Sequence, residues 1–291
     1  MQKILLSAFL LFSLLSCASG EKKSIELTEE NIPQRIITAG GTITEIVYTL
    51  GFGDKIIATD RTSTYPKKMQ ALPSIGYRNQ IKSEGILSLS PDMVLVEEGY
   101  LSEDVVSQLK LMDLKVHFFN KPTNPEETKV LVMKLAKLFE VPDKGEQINE
   151  DIRKDLNSLK DYLLEEDKED SLTAAFVMAR GPETLFVAGE NTFAEEIFNL
   201  AGIKMAARGF EDFIPLTPES LVSMSPDYLV LFDSGLESMG GLDGLAAVNG
   251  VKETKAYEEK QVLSFDGHYL SGMGPRVGQV ALELAKEVRK K

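Results

Sequence analysis

One segment of the sequence occurs twice, without a gap. Residues 84–96, EGILSLSPDMVLV, align with residues 219–231, ESLVSMSPDYLVL, at a constant offset of 135 positions (219 − 84). Both copies have apolar residues at helical spacing, then a Ser-Pro-Asp turn and a continuous apolar run, which predicts a short helix followed by a buried strand. A repeat of this kind predicts a chain built from two similar lobes.

Strands and helices alternate on both sides of the middle of the chain. Predicted strands cover residues 35–39, 55–59, 93–96 and 115–119, with helical patterns between them, and the alternation resumes at residue 172. Such alternation is typical of a parallel sheet with helices on both faces. We therefore predict an α/β fold of two similar lobes, each a mostly parallel sheet flanked by helices.

Two helical stretches separate the predicted lobes. Residues 125–139 are amphipathic, and residues 144–166 carry apolar residues spaced by 4, 4, 3 and 4 positions. The second stretch is long enough to connect the lobes as one helix. Ligands of two-lobed α/β proteins bind in the cleft near the carboxyl ends of the strands. The predicted organisation is an N-terminal lobe at 33–121, a helical connection at 122–170 and a C-terminal lobe at 171–291.

The N-terminus has the layout of a secretory signal. Residues 1–16 place Lys3 before a short apolar stretch and a small residue, Ser16, before Cys17. The apolar stretch is too short to span a bilayer comfortably. The run 14–17 resembles a relaxed bacterial lipobox, which would make Cys17 the lipidated first residue; the alternative is an ordinary signal peptide with an incidental cysteine. Residues 17–32 then form a tether, and the predicted location is extracytoplasmic, in the periplasm or on the outer face of a membrane.

Composition excludes several classes of function. The chain has 32 Lys and Arg against 45 Asp and Glu, a net charge of −13, which argues against nucleic acid as a partner. It has two histidines, His117 and His268, and a single cysteine, Cys17. Histidine-rich metal sites, internal disulfides and iron–sulfur clusters need more of these residues.

Enzymatic chemistry has little support in the sequence. Ser264, Asp266 and His268 lie within one five-residue window, whereas a catalytic triad needs a separately positioned nucleophile and an oxyanion hole. The sequence has neither a Gly-x-Ser-x-Gly elbow nor a phosphate loop. We predict a binding protein and keep an extracytoplasmic hydrolase as the weaker alternative.

Several segments resemble, in order along the chain, the periplasmic haem-binding proteins of haem ABC importers. In the first half they are GGTITEI at 40–46, DRTSTYP at 60–66, LPSIGYR at 72–78 and SEGILSL at 83–89. In the second half they are VAG at 187–189, PLTPE at 215–219, GLESMGG at 235–241 and GMGPR at 272–276. The resemblance spans about residues 33–288 and implies a class III periplasmic-binding-protein fold, with haem as the transported ligand. The Ser-Pro-Asp unit alone would equally fit a protein for a ferric siderophore or a cobalamin, so these ligands stay as alternatives.

The resemblance implies that Tyr65 is the axial ligand of the haem iron. Ferric iron prefers an anionic oxygen, tyrosinate is an attested haem ligand, and nearby cations favour the tyrosinate form. Chemistry alone also fits a loop tyrosine beside Pro66. His268 is a less favoured second ligand, so we predict one protein ligand. Cationic candidates for the haem propionates or for the surroundings of Tyr65 are Arg61, Lys67, Lys68, Arg78, Arg180 and Arg276.

The resemblance also implies a partner, an ABC permease dimer with its ATPase. Glu84 and Glu219 occupy equivalent positions of the repeat, where the family places one glutamate on each lobe against permease arginines. A symmetric acidic pair suits a two-fold partner, although an acidic residue that opens a helix also favours the helix dipole. We predict a monomer that is attached to the membrane through Cys17. Candidates for the cleft lining, each of which would also suit the core, are Tyr77, Met178, Phe210, Phe213 and Met273.

Overall fold

The computed structural model describes residues 32–112, 114–166 and 172–290. The predicted signal segment, most of the tether and Cys17 lie outside the described residues. The strands within these ranges are β1 (Ile36–Ala39), β2 (Ile56–Thr59), β3 (Met93–Glu97), β4 (Lys115–Phe119), β5 (Thr173–Ala179), β6 (Leu185–Ala188), β7 (Lys204–Met205), β8 (Phe213–Pro215), β9 (Tyr228–Phe232) and β10 (Val262–Phe265). The α-helices are α1 (Gly41–Val47), α2 (Ser83–Leu87), α3 (Glu103–Lys110), α4 (Pro125–Leu138), α5 (Pro142–Glu165), α6 (Phe193–Leu200), α7 (Pro218–Met224), α8 (Asp233–Ser238), α9 (Gly241–Ala246), α10 (Lys255–Glu258), α11 (Gly267–Ser271) and α12 (Val277–Glu287).

The strands form two sheets, one in each lobe. The first sheet has the order β2-β1-β3-β4, and all of its neighbouring strands are parallel. The inner strands β1 and β3 are buried along their whole length, which explains their continuous apolar sequences. The second sheet has the order β10-β9-β5-β6-β8, with β7 beside β5. In this sheet β6 pairs antiparallel with both β5 and β8, and the other pairs are parallel. The predicted fold class is confirmed, while the predicted lobe boundaries stay a prediction.

The repeated Ser-Pro-Asp turn performs the same structural task in both lobes. The serine of each turn has a positive φ, 45° in the first copy and 40° in the second. The carboxylate of Asp92 accepts a hydrogen bond from the backbone N–H of Arg35 at 3.1 Å, just before β1. The carboxylate of Asp227 accepts one from the N–H of Thr173 at 2.7 Å, at the start of β5. Each aspartate therefore fixes the beginning of the first strand of its own lobe.

We expect Asp227→Asn to lower the free energy of unfolding by about 1–2 kcal/mol, because the carboxylate binds Thr173 and Lys255 with its side chain only 18% exposed. Burial alone raises the pKa of Asp227, but the bonds from Lys255 and Thr173 outweigh it and hold the pKa below its ordinary value. Stabilisation by such a carboxylate is present above its unfolded-state pKa and is lost as the pH falls through the folded-state pKa. Urea unfolding along a pH series should therefore show a larger acid loss in the wild type than in the variant. The matched control is Asp54→Asn, whose carboxylate is 92% exposed.

The long helix α5 connects the lobes through close contacts on both sides. A Cβ atom built at Gly145 would lie 2.5 Å from the Cβ atom of Ala136 on α4. One built at Gly278 on α12 would lie 2.7 Å from the Cβ atom of Asp155 on α5. The glycines therefore let α5 pack tightly against both helices. Helix α5 begins two residues earlier than predicted, because Pro142 fits the first turn of a helix, where no N–H is needed.

Candidate ligand-binding cleft

A cavity of about 510 Å³ lies between the lobes at the carboxyl ends of the strands. The N-terminal lobe contributes Glu97, the last residue of β3, and Lys121, two residues beyond β4. The C-terminal lobe contributes Phe232, the last residue of β9, and the residues of α11 around His268. This is the position where parallel α/β folds bind their ligands.

A second cavity of about 480 Å³ shares Lys121 with the first and carries aromatic side chains. Phe193 and Phe213 line it together with Met273. The Phe193 ring stacks on Phe232 of the first cavity, with centroids 5.6 Å apart and planes 15° apart. The two cavities therefore share an aromatic wall suited to a flat apolar ligand. The predicted lining residues Phe213 and Met273 lie here, whereas the sequence reasoning missed Phe193, Phe232 and Lys121.

Charges are distributed unevenly around the first cavity. On the N-terminal side the cavity is lined by two cations, Arg78 and Lys121, and by the buried carboxyl group of Glu97. Burial raises the pKa of Glu97 and lowers the pKa of Lys121, since the cleft removes water from both charged forms. The C-terminal side contributes three carboxylates, those of Asp233, Glu237 and Asp266. Carboxylate groups of a ligand should therefore bind on the N-terminal side, where the two cations attract them.

The loop that follows β2 is organised by a buried carboxylate. Asp60 accepts hydrogen bonds from the N–H of Gly40 at 2.9 Å and from the hydroxyl of Ser63 at 2.6 Å. It also accepts one from the N–H of Thr62 at 2.8 Å. Burial, helped by the charge of Glu97, raises the pKa of Tyr100 to about 12, so its hydroxyl is neutral. This hydroxyl forms a hydrogen bond with that of Thr62, with 3.0 Å between the two oxygens. These contacts fix the loop that carries Tyr65.

Tyr65 directly follows Thr64, which lines the first cavity. Tyr65 itself is 38% exposed and is a lining residue of neither cavity. The guanidinium carbon of Arg276 lies 3.5 Å from the centroid of the Tyr65 ring. Arg276 therefore places a positive charge on the ring face of the predicted ligand.

The other predicted cations have different surroundings. Lys68 contacts Asp54 at 3.1 Å and lies 4.6 Å from the centroid of the Tyr48 ring. Arg61 and Lys67 are exposed on the loop. Arg180 is exposed just beyond β5 and lines neither cavity. Among the six predicted cations, the structure places Arg276 against Tyr65 and Arg78 in the first cavity.

His268 faces the first cavity, but its Nε2 atom lies 3.0 Å from the carboxylate of Glu45. That nitrogen would bind iron only after the contact with Glu45 had broken. Nδ1 is close to the backbone of Gly41 and Gly272, where built Cβ atoms would lie 2.6 and 2.7 Å from it, so we keep Tyr65 alone as the proposed protein ligand. The described ranges bring no three His, Cys, Asp or Glu side chains together as a possible metal site.

The remaining predicted residues occupy three kinds of place. Tyr77 is exposed and lines the first cavity. Met178 is half-buried in β5, and Phe210 packs against Gly189; neither lines the two cavities. Glu84 and Glu219 are exposed in the first turns of α2 and α7, one on each lobe.

Two α/β lobes, one connecting helix and ligand-sized cavities at the strand ends define a two-lobed solute-binding protein. The family model described as "Periplasmic binding protein" matches residues 36–269. The chain therefore belongs to the periplasmic binding protein family, and its role is that of a substrate-binding protein for ABC import.

Individual relatives agree with this assignment. The periplasmic heme-binding protein RhuT from Roseiflexus sp. RS-1, in apo form, superposes with a TM-score of 0.83 at 31% identity, covering 88% of this chain and 97% of that one. The uncharacterized ABC transporter substrate-binding lipoprotein YvrC of Bacillus subtilis is 26% identical over 90% of this chain and 82% of its own length. A vitamin B12-binding protein of Yersinia pestis is 28% identical over 58% of each chain. The predicted resemblance to periplasmic haem-binding proteins is confirmed.

Proposed function

We propose that the protein binds ferric haem in the cleft between its lobes and delivers it to the permease of an ABC transporter. The observation that carries the proposal is the contact between the Tyr65 ring, next to the cavity-lining Thr64, and the guanidinium of Arg276, whose carbon lies 3.5 Å from the ring centroid. A phenol is protonated at neutral pH unless its anion is stabilised. Ferric iron prefers an anionic oxygen, and tyrosinate is an attested ligand of ferric haem.

The rest of the cleft supplies what the porphyrin needs. The aromatic side chains Phe193, Phe213 and Phe232 offer an apolar wall for the ring system. Arg78 and Lys121 offer cations for the propionates on the N-terminal side. Because the C-terminal side is acidic, the propionates should point towards Arg78 and Lys121.

We expect Lys121→Gln to weaken haemin binding roughly three- to tenfold, a small effect because Arg78 remains as a cation on the same side of the cavity. The same variant should bind haemin dimethyl ester, which has no carboxylates, as well as the wild type does. Fluorescence-quenching titrations measure both affinities, with Lys110→Gln at the exposed end of α3 as the matched control. An equal loss of affinity for both ligands would contradict the predicted orientation.

A cobalamin is the second candidate ligand. The acidic side of the first cavity favours it, because amide N–H groups donate hydrogen bonds to carboxylates while propionates are repelled by them. The likeness to a vitamin B12-binding protein points the same way. Equilibrium dialysis against haemin, cyanocobalamin and a ferric siderophore separates these ligands. We expect haemin to be retained most strongly; preferential retention of either of the others would replace haem in the proposal.

The proposal also covers where the protein is located and how haem reaches the permease. No helix in the described part of the chain is both long and apolar enough to cross a membrane. We place the mature chain outside the cytoplasm as a monomer, held at the membrane through a lipid on Cys17. Glu84 and Glu219 would contact the two subunits of the permease.

A further inference from the structure

A buried carboxylate of the N-terminal lobe holds two side chains of the C-terminal lobe. The side chain of Glu45, on α1, is 3% exposed. Its Oε1 accepts a hydrogen bond from Nε of Arg276 at 2.7 Å, and its Oε2 accepts one from Nη2 at 3.0 Å. Nε2 of His268 lies 3.0 Å from the same Oε2. The two-point contact fixes the plane of the guanidinium as well as its position.

Close backbone approach encloses this contact. A Cβ atom built at Gly274 would lie 3.1 Å from Oε2 of Glu45, and one built at Gly41 would lie 2.6 Å from Nδ1 of His268. The hydroxyl of Thr42 donates a hydrogen bond to the carbonyl oxygen of Gly272, again between the lobes. The side chains around Glu45 therefore have little room to rearrange.

Arg276, which Glu45 binds, also contacts the proposed iron ligand, Tyr65. Its guanidinium carbon lies 3.5 Å from the centroid of Tyr65 and 4.8 Å from that of Tyr269. Burial alone would raise the pKa of Glu45, but the hydrogen bonds from His268 and Arg276 hold it below the ordinary value. Glu45 is therefore an anion at neutral pH and holds Arg276 in place as an ion pair.

We propose that Glu45 is a positioning residue for ligand binding: it fixes Arg276 against the ring of Tyr65 and so links the packing of the two lobes to the haem ligand. This inference rests on the proposed function. Arginine has a long side chain with several rotatable bonds, and holding it in one orientation costs conformational entropy. When the Glu45 carboxylate is present, Arg276 is already held in one orientation before haem binds, so haem binding does not bear this entropic cost. When the carboxylate is absent, haem binding has to order Arg276 and the Tyr65 ring, which lowers the affinity.

The test is haem release from Glu45→Gln, measured by transfer to excess apomyoglobin, in the wild-type and Tyr65→Phe backgrounds. We expect release to accelerate roughly tenfold in the wild-type background, the size of effect given by losing a partly buried cation–π contact. In the Tyr65→Phe background the same change should have little effect, because the ligand that it acts through is gone. An equal acceleration in both backgrounds would mean that Glu45 acts only on the packing of the lobes, and no acceleration in either would also overturn the inference.

Two further variants keep the test decisive. Glu146→Gln removes an exposed glutamate–arginine pair on the outer face of α5 and should leave release unchanged. Arg276→Lys keeps the charge but loses the planar fork, so it should accelerate release in the same Tyr65-dependent way even if Glu45→Gln does not fold. Failure of the wild type to bind haemin would overturn the proposed function itself. Haem binding that depends on Tyr65 but not on Glu45 or Arg276 would overturn only this inference.

Discussion

We expect Tyr65→Phe to lower the affinity for haemin on the order of a hundredfold or more and to abolish the tyrosinate-to-iron charge-transfer band of the ferric complex. Removing residues that merely support a metal ligand already costs about 10–100-fold, so removing the ligand itself should cost at least as much. Phenylalanine keeps the ring that stacks under Arg276, and only the oxygen is lost. The change therefore reports on ligation rather than on packing.

The measurement is an absorption titration of both proteins with haemin. Tyr257→Phe, which removes a hydroxyl from α10 outside the cavities described above, is the matched control and should titrate like the wild type. A Tyr65→Phe protein with the wild-type spectrum and affinity would remove Tyr65 from the site.

We expect reversal of both proposed docking charges, Glu84→Arg with Glu219→Arg, to abolish haem uptake and to leave haem binding intact. The two glutamates are exposed at matching places on the two lobes, where they face solvent. Opposing like charges at an interface cost several kcal/mol, and two such sites would act together on a two-fold partner. We expect each single reversal to reduce uptake partially, because one contact would remain.

Uptake is measured as growth on haem as the iron source, in cells that carry the cognate importer. The matched control reverses Glu103 and Glu253, two exposed glutamates elsewhere on the lobes, with the same change in net charge. Normal uptake by the Glu84/Glu219 double variant would contradict the docking proposal. A loss of haem affinity in that variant would show that the substitutions had disturbed the lobes.

Most of the fold follows from local sequence patterns. Strand β4 covers residues 115–119, as predicted, because the β-branched Val116 and the aromatic Phe118 and Phe119 favour a strand. The two lobes follow from the repeat, and the structure explains it: Asp92 and Asp227 each fix the start of a first strand. The antiparallel β6 and β8 were not predicted, since their pairing depends on contacts between segments that no local pattern relates.

The ion pair between Glu45 and Arg276 was missed for the same reason. The two residues are 231 positions apart and belong to different lobes. One signal was present in the sequence: Glu45 lies among Ile43, Ile46 and Val47, so a helix that buries these residues also encloses a carboxylate. A buried charge needs a partner, and that requirement alone could have prompted a search for one.

Arg61, Lys67 and Lys68 were predicted to surround Tyr65 because they are close in sequence, which is a weak guide in a loop, whereas Arg276 was predicted from its own motif. A 3-10 turn at Lys67–Ala71 follows Pro66, and Lys68 within it pairs with Asp54. The cation on the ring of Tyr65 comes instead from Arg276, far along the chain. Lys121 had a usable signal, because it follows β4 at the carboxyl edge where ligands of such sheets bind.

We propose that ferric haem is held in the cleft with Tyr65 as its one protein ligand. The most direct test is the absorption and electron paramagnetic resonance spectrum of the wild-type protein loaded with one equivalent of haemin. We expect high-spin ferric haem, five-coordinate or completed by water, with a tyrosinate charge-transfer band. A low-spin spectrum typical of two strong protein ligands, or no haem spectrum distinct from that of free haemin, would contradict it.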